Sequence, residues 1–257
     1  MIHNVMRNRG RNMKQNVYDQ ETFYKGYKAI RERAYNYNNL LEQPALQAVM
    51  PDVVGKIVLD IGCGSGDFAA KCVRNGATRV IGIDISANMM NDAKEKYTDG
   101  RLEFIQAAFE DVELEPASID IIVSSLAFHY MNDFRAVMEK VSTVLRDGGV
   151  LVFSCEHPIV TANKGGEDWV LDEASAIRHF AVDRYQDEGQ RTQTWIVEGV
   201  VTYHRTTATI VNTIVDCGLM VEQLVEPTPT EEAVALLPSL AKEFRRPSFL
   251  IVKGRKR

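Results

Sequence analysis

Three closely spaced glycines carry the clearest chemical signal in this sequence. Gly62, Gly64 and Gly66 fall at every second position after the apolar run 57–61, and an amphipathic helical pattern begins near Asp67. Glycine lets the backbone turn sharply and lets a ligand approach without meeting a Cβ atom. The free N–H groups of a helix N-terminus then lie beside that ligand. We therefore predict a ligand-binding strand, turn and helix.

An acid on the next predicted strand complements this turn. The run 80–83 is typical of a buried strand and ends at Asp84. A carboxylate at this place can accept hydrogen bonds from both hydroxyls of a nucleoside ribose. A dinucleotide fingerprint would be Gly-x-Gly-x-x-Gly, whereas the spacing here is Gly-x-Gly-x-Gly followed by Asp67. The pattern predicts nucleoside binding and departs from the dinucleotide fingerprint.

Together these features resemble motif I and the acidic residue of class I S-adenosylmethionine-dependent methyltransferases. The resemblance implies a doubly wound, Rossmann-like α/β sheet of seven mostly parallel strands in the order 3-2-1-4-5-7-6, with the last strand antiparallel. It also implies S-adenosyl-L-methionine as cofactor and S-adenosyl-L-homocysteine as product. The motif residues that it places at the cofactor are Asp60, Gly62, Cys63, Gly64, Gly66, Asp84 and Ile85.

Length and composition fit one large domain. The chain has 257 residues, 45% of them hydrophobic, and a net charge of -5. It has no apolar run of the roughly 18 residues that a membrane span needs, and no signal-peptide core. The four cysteines lack metal-binding spacing, and mild acidity argues against a nucleic-acid surface. We expect a cytoplasmic bacterial enzyme, monomer or homodimer, without metal, membrane or nucleic-acid partners.

The same patterns divide the chain. Residues 1–16 are basic with little to bury, so we expect a disordered leader without function. Because Met13-Lys14 resembles a bacterial start, residues 1–12 are candidates for upstream sequence. The remainder, 17–257, is predicted to be a single methyltransferase domain with a helical cap at 17–50, a Rossmann-like core at 51–155 and 206–257, and a substrate lid inserted at 156–205.

The predicted cap presents an aromatic face. Phe23, Tyr27 and Arg31 fall at helical spacing, and the segment resembles the N-terminal helices that close over the cofactor in small-molecule methyltransferases. Tyr27 and Arg31 lie one turn apart and could offer a phenol and a guanidinium to the methionine carboxylate of the cofactor. Alternatively, the aromatic face only packs and Arg31 is solvated.

The adenine site is the weakest part of the resemblance. The family commonly holds adenine with an Asp at the position that aligns with Ala108, so that acid is missing here. Phe109 could flank the ring while Glu110 or a backbone N–H reads its edge. Met89 is a further candidate for cofactor contact, with core packing as its alternative.

The loop after the fourth predicted strand indicates the class of acceptor. Ser125 and Leu126 are followed by His129-Tyr130, without the prolines found in enzymes that methylate nucleic-acid bases. The loop resembles the small-molecule branch, in which Leu-x-x-His-Tyr lines the pocket where the methyl group is transferred. The resemblance therefore implies a small-molecule acceptor with an O, N or C nucleophile, and it places Ser125 and Leu126 at the cofactor.

Two histidines are candidates for a general base, because histidine titrates near neutral pH. His129 follows the fourth predicted strand, and His157 follows the fifth in Glu-His-Pro. Each also has a structural interpretation: His129 as a wall of the pocket, and His157 as the holder of the turn at Pro158. Many family members need no base, since positioning alone reaches effective molarities of about 10⁵ M or more.

Two other functions fit the same scaffold. An NAD-dependent oxidoreductase shares the doubly wound sheet, but the glycine spacing and the absence of a Tyr-x-x-x-Lys dyad argue against it. A non-catalytic nucleotide-binding regulator would share the glycine turn and its acid.

Overall fold

A seven-stranded mixed sheet forms the centre of the molecule in the computed structural model, which describes residues 14–164 and 169–257. The predicted leader up to residue 13 and the glycine pair at 165–166 lie outside the described residues. The strand order is β3-β2-β1-β4-β5-β11-β10. The strands are β1 (Ile57–Ile61), β2 (Arg79–Asp84), β3 (Leu102–Gln106), β4 (Ile119–Ser125), β5 (Leu145–Glu156), β10 (Leu219–Val225) and β11 (Phe249–Lys256).

Strands β1 to β5 pair in parallel, while β11 runs antiparallel between β5 and β10. In the order of the sheet strands along the chain, this is 3-2-1-4-5-7-6, so the predicted fold class is confirmed. The helices are α1 (Glu21–Arg31), α2 (Gln43–Val49), α3 (Asp67–Arg74), α4 (Ala87–Lys96), α5 (Phe134–Val144), α6 (Pro158–Thr161), α7 (Thr207–Asp216) and α8 (Glu231–Leu236). A π-helical turn, Asn38–Glu42, runs directly into α2.

The central strands are mainly apolar, and both faces of the sheet are covered. In β1, Leu59 and Ile61 belong to one buried cluster, whereas Val58 belongs to the other. Successive side chains of a strand point to opposite faces, so this alternation assigns one cluster to each face. A rigid two-sided core therefore holds the carboxyl ends of β1, β2, β4 and β5 at one edge.

Side-chain caps begin two of the helices beside the site. The hydroxyl of Ser86 accepts a hydrogen bond from the backbone N of Met89, and that of Thr206 accepts one from Thr209. Strand β5 extends to Glu156, the first residue of the predicted lid. Glu156 therefore lies at the carboxyl end of a central strand and not in a loop.

Two hairpins follow β5. Strands β6 (Trp169–Leu171) and β7 (Ile177–Phe180) form one, and β8 (Gly189–Trp195) and β9 (Val197–His204) form the other. The chain reverses between β8 and β9 at Ile196, which has a φ of 64°. Trp195, Ile196 and Val197 include no Gly, Asn or Asp, so no typical turn residue marks this reversal in the sequence. Within the described residues, no helix is long and apolar enough to cross a membrane.

Candidate active site

A cavity of about 2020 Å³ opens at the carboxyl ends of β1, β2, β4 and β5. Its other walls are the segment that contains α1 and the β8–β9 hairpin. Ligands of open α/β sheets bind at this edge. The volume exceeds the roughly 300–1,000 Å³ of an ordinary ligand pocket. The cavity therefore has room for a nucleoside cofactor and a second molecule.

The glycine turn forms the floor of this cavity. The backbone N–H groups of Gly62 and Cys63 donate to the carbonyl of Ile83 at 2.8 and 3.1 Å. A Cβ at Gly62 would lie 2.4 Å from Cβ of Ala127, so this glycine is required for packing. A Cβ at Gly64 would meet no protein atom within 4 Å, and Gly64 lines the cavity with a φ of 53°. Gly64 therefore leaves space for a ligand.

Gly66 and Cys63 differ from the rest of the turn in their surroundings. Gly66 is the N-cap of α3 and lies outside the cavity lining. A Cβ there would meet Phe104 at 2.7 Å, so packing requires glycine at this position. Cys63 lines the cavity, but it is buried and burial raises the pKa of its thiol well above the usual value. A neutral buried thiol is a poor nucleophile, so Cys63 fills space beside the turn.

Two carboxylates stand beside the glycine turn. Asp60 is buried, and its Oδ2 has no hydrogen-bond partner among the described residues. Burial, with a smaller contribution from Asp84, raises the pKa of Asp60 to about 7. Asp84 accepts from the backbone N of Ser86 at 2.9 Å and of Gly64 at 3.0 Å. These groups offer buried acceptors to a ligand that carries amine and hydroxyl donors, as S-adenosylmethionine does.

The residues predicted for adenine lie together beyond Asp84. Ile85, Met89, Phe109 and Glu110 all line the cavity. Met89 and Phe109 are also buried, so each serves the core and the cavity at once. The ammonium of Lys140 lies over the Phe109 ring, 4.8 Å from its centroid, and donates to the Phe109 carbonyl.

A short N-terminal strap, residues 14–19, crosses this part of the cavity. Gln15 pairs with β9, accepting from the N of Val201 at 2.8 Å and donating to the carbonyl of Gly199 at 3.0 Å. Asp19 accepts from Ser86 Oγ and from the backbone N groups of Ala87 and Asn88 at the start of α4. Residues 14–16, which were predicted to belong to a disordered leader, make specific contacts here. Sequence reasoning missed the strap because its partners lie far away in the chain.

Tyr27 and Arg31 both line the cavity. The Tyr27 ring packs edge-to-face on Tyr18 and Trp195, with centroids 5.1 and 6.1 Å apart. The Arg31 guanidinium donates to Oδ1 of Asn38 in the π-helical turn. The aromatic packing of the alternative interpretation is thus present, and both polar groups also face the cavity.

A buried carboxylate ties the cap to the ends of β4 and β5. Glu42 accepts hydrogen bonds from the hydroxyls of Ser125 and Ser154, and burial raises its pKa. Leu126 follows with a φ of 52°, and its N donates to the carbonyl of Ser154 at 3.1 Å. A non-glycine residue in the left-handed region is strained and persists where its surroundings enforce it. Ser125 and Leu126 therefore line the cavity in a fixed geometry.

His129 lines the cavity as predicted, but its environment is unfavourable for a proton acceptor. The ring is buried, and its Nδ1 accepts from the backbone N of Glu156 at 3.5 Å. Burial, reinforced by the charge of Arg205, lowers the pKa of His129 to about 3. The ring is therefore neutral near pH 7 and takes up a proton poorly.

His157 does not reach the cavity, which argues against the prediction that it is a base. Its Nδ1 accepts from the backbone N of Ile159 at 3.1 Å, and its Nε2 lies 3.0 Å from Oε1 of Glu226. One ring nitrogen thus caps α6 and the other makes a hydrogen bond with Glu226. The structure agrees with the alternative that His157 holds the turn at Pro158.

Its neighbour Glu156 is the site residue that sequence reasoning missed. It lines the cavity, and its Oε2 is buried without a hydrogen-bond partner in the described structure. Burial raises the pKa of Glu156 to about 7, although a hydrogen bond from Gln193 on β8 opposes the shift. The position of Glu156 at a strand end was a usable signal, because ligands of such sheets bind at the carboxyl ends of the strands. Asp84, Ser125 and Glu156 are each the last residue of their strand.

Comparison with known proteins agrees with this geometry. A family model described as a methyltransferase domain matches residues 59–153. The chain is 33% identical to an uncharacterized protein of Haemophilus influenzae over 255 residues, which span 95% of this chain and 98% of that protein.

Two solved structures share the fold. An S-adenosylmethionine-dependent methyltransferase from Mesorhizobium loti is 36% identical, with a TM-score of 0.78 over 84% of this chain and 97% of that chain. The Burkholderia thailandensis 1,6-didemethyltoxoflavin-N1-methyltransferase, solved with S-adenosylhomocysteine bound, has a TM-score of 0.58 over 91% of this chain and 83% of that chain. It is 13% identical, so this likeness concerns the fold alone.

Proposed function

Because this chain belongs to the S-adenosylmethionine-dependent methyltransferases, we propose that it methylates an oxygen, nitrogen or carbon nucleophile of a small molecule. The observation that carries this proposal is the shape of the cavity. One continuous space of about 2020 Å³ joins the glycine turn to an aromatic chamber under the β8–β9 hairpin. A cofactor held at the turn would leave space in the same cavity for a small methyl acceptor.

We assign the cofactor contacts from the groups that line the turn. Asp84 would bind the ribose hydroxyls above Gly64, and Asp60 would accept from the amino group of the methionine part. Ile85, Met89, Phe109 and Glu110 would surround the adenine. Tyr27, Arg31, Ser125 and Leu126 would hold the methionine end. When bound, S-adenosylmethionine supplies a methyl group that its sulfonium charge already activates.

The protein's own contribution is then positioning and exclusion of water. The strap and the β8–β9 hairpin are joined by the contacts of Gln15 and cover the chamber. Holding two reactants in line replaces an encounter in solution and is worth effective molarities of about 10⁵ M or more. His129, neutral and buried, serves as a wall that orients the acceptor.

Calorimetry tests the cofactor assignment. We expect S-adenosylmethionine and S-adenosylhomocysteine to bind and NAD not to bind. Asp84→Ala should weaken S-adenosylhomocysteine by at least about a hundredfold, since each hydrogen bond to a charged group contributes roughly 1.5–3 kcal/mol. Asp99→Ala removes an acid of an exposed ion pair and is the matched control, with no effect expected. Unchanged affinity in Asp84→Ala would show the ribose assignment to be mistaken, and tight NAD binding alone would favour an oxidoreductase.

A labelling experiment tests the class of acceptor. The full-length protein is incubated with methyl-labelled S-adenosylmethionine and bacterial extract separated into metabolites, proteins and nucleic acids. We expect label in the metabolite fraction, because the strap and the hairpin, joined through Gln15, both line the cavity and narrow the access of a macromolecule to it. Label confined to protein or nucleic acid would overturn the small-molecule proposal while leaving the methyltransferase assignment intact.

A further inference from the structure

The acceptor end of the cavity, which we call the acceptor chamber, is lined by acids but by no described Lys or Arg. It is lined by residues of the segments 125–136, 156 and 190–203. Among its described lining residues there are two acids, Asp133 and Glu156, and neither Lys nor Arg. A carboxylate or phosphate acceptor would need a cationic partner when it leaves water. The chamber is therefore unsuited to anionic acceptors.

Arg205, a cation close to the chamber, is already occupied. Its guanidinium donates to the backbone carbonyls of Met131 and Asn132. It also lies 5.1 Å from the centroid of the Phe134 ring. Arg205 does not belong to the cavity lining. These contacts fix the loop 131–134 and leave Glu156 without a cationic neighbour inside the chamber.

Glu156 is the polar group of the chamber that most needs a partner. Its Oε2 makes no hydrogen bond among the described residues, while Gln193 on the covering hairpin bonds the same carboxyl group. The titratable groups that face it are His129 and Tyr130, with Cys155 beside it in the strand. None of these is a cation near pH 7. A buried carboxylate gains most from a ligand that brings a positive charge or a donor proton.

Three aromatic side chains, Tyr130, Trp195 and Tyr203, line the chamber, and Tyr18 and Tyr27 border it on the side of the cofactor turn. Tyr18 and Tyr130 meet edge-to-face with centroids 6.2 Å apart, and their hydroxyls are 3.5 Å apart. Tyr27 packs edge-to-face against both Tyr18 and Trp195. Aromatic faces attract organic cations, and they attract them more when water is excluded. A carboxylate with one oxygen left without a partner, surrounded by several aromatic rings, is typical of sites that bind amines.

We propose, on the basis of the methyltransferase function proposed above, that the acceptor is an amine whose ammonium group pairs with Glu156 and whose nitrogen receives the methyl group. In the balanced reaction, the ammonium N–H proton passes to the Glu156 carboxylate and leaves a neutral amine. The nitrogen lone pair then forms the new C–N bond while the S–CH₃ bond breaks and its electron pair remains on sulfur. The product is a methylammonium ion, and Glu156 returns its proton to solvent when the chamber opens.

Binding of matched probes to the protein saturated with S-adenosylhomocysteine tests this assignment. The probes are primary amines of increasing size from ethylamine to tryptamine, each paired with its alcohol and its carboxylate analogue. Calorimetry at pH 8 should show at least one amine that binds about tenfold or more tightly than both of its analogues. In Glu156→Gln this preference should disappear, and incubation of the preferred amine with S-adenosylmethionine should give a product heavier by one methylene in the wild type.

A matched variant separates a chemical role from a structural one. Glu243, like Glu156, has a buried Oε2 without a hydrogen-bond partner among the described residues, but it lies outside the cavity lining. Glu243→Gln should keep the amine preference. If Glu156→Gln fails to fold, the wild type alone decides, because protonation of Glu156 should abolish the preference as the pH falls well below about 7.

Equal affinity for amines and their analogues, tighter binding of the carboxylates, or a preference that survives Glu156→Gln would each overturn the proposal. Failure of the underlying function is distinguishable. In that case S-adenosylhomocysteine itself would not bind, whereas a wrong acceptor class would leave its binding intact.

Discussion

Burial decides at the level of single residues which group near the acceptor can exchange a proton near neutral pH. Desolvation disfavours the charged form of any group, so it shifts acids and bases in opposite directions. It lowers the pKa of His129 to about 3 and raises that of Glu156 to about 7. The carboxyl group is thereby matched to physiological pH, whereas the imidazole is fixed in its neutral form.

Gly64 gives a sharp residue-scale prediction. Gly64→Ala should abolish measurable S-adenosylhomocysteine binding, or weaken it by at least about tenfold, because the added methyl group would enter the cavity floor. An alanine at positive φ also costs roughly 1–2 kcal/mol of stability. Gly148→Ala is the matched control, since Gly148 has a φ of 75°, equally open surroundings and no place in the cavity lining. Calorimetry and thermal unfolding of both variants separate ligand exclusion from strain, and equal binding by the two would contradict the assignment.

At the scale of elements, the N-terminal strap connects the start of α4 to strand β9. Asp19 provides acceptors for the free N–H groups at the start of α4, so a residue from the strap stabilises a helix that is distant in sequence. The same six-residue segment reaches β9 through Gln15. The strap therefore joins the adenine side of the cavity to the hairpin that covers the acceptor chamber.

Asp19→Ala should release the strap at a modest cost in stability. Loss of a capping side chain costs about 1 kcal/mol, and we expect S-adenosylhomocysteine to dissociate several times faster because the cover is loosened. Thr230→Ala is the matched control, since Thr230 caps α8 by accepting from Ala233 N and lies outside the cavity lining. Stopped-flow dissociation and thermal unfolding should show similar destabilisation in both variants but faster release in Asp19→Ala alone. Equal release rates would mean that the strap does not retain the cofactor.

At the scale of the whole molecule, the acids and the histidines with shifted pKa values make the stability depend on pH in opposite directions. Asp60 and Glu156 have raised pKa values of about 7, so the folded state binds more protons than the unfolded state from about pH 4.5 to 7. Their contribution to stability is lost as the pH rises through that window. His129, His157 and His204 have lowered pKa values, so their contribution is lost as the pH falls below about 6.5.

The Glu156→Gln variant tests this pH dependence of the stability. Relative to the wild type, the variant should gain stability as the pH rises from about 5 to 7, with a slope approaching about 1.4 kcal/mol per pH unit. Above the raised pKa the difference should become constant. Urea unfolding of the ligand-free protein at several pH values measures it, with Glu139→Gln on the exposed face of α5 as control. A pH-independent difference would show that the Glu156 carboxyl does not titrate differently on folding.

The parts of this protein that sequence determined are those encoded by neighbouring residues. Continuous apolar runs specify strands buried on both faces, capping hydroxyls specify the starts of α4 and α7, and the glycine spacing with Asp84 specifies the cofactor turn. The strand order came with the resemblance to the class I methyltransferases that this turn carries, and it is the order observed. His129 lies in the loop after β4 and lines the cavity.

Only the tertiary structure decided which distant groups meet at the site. Asp19 and Ser86 are 67 residues apart, Glu42 and Ser154 are 112 apart, and Gln15 and Val201 are 186 apart. No local pattern records such pairs, because their contact depends on packing and not on periodicity. The tertiary structure also separates two neighbours, Glu156 and His157. Glu156 is the last residue of β5 and lines the chamber, whereas His157 is the N-cap of α6.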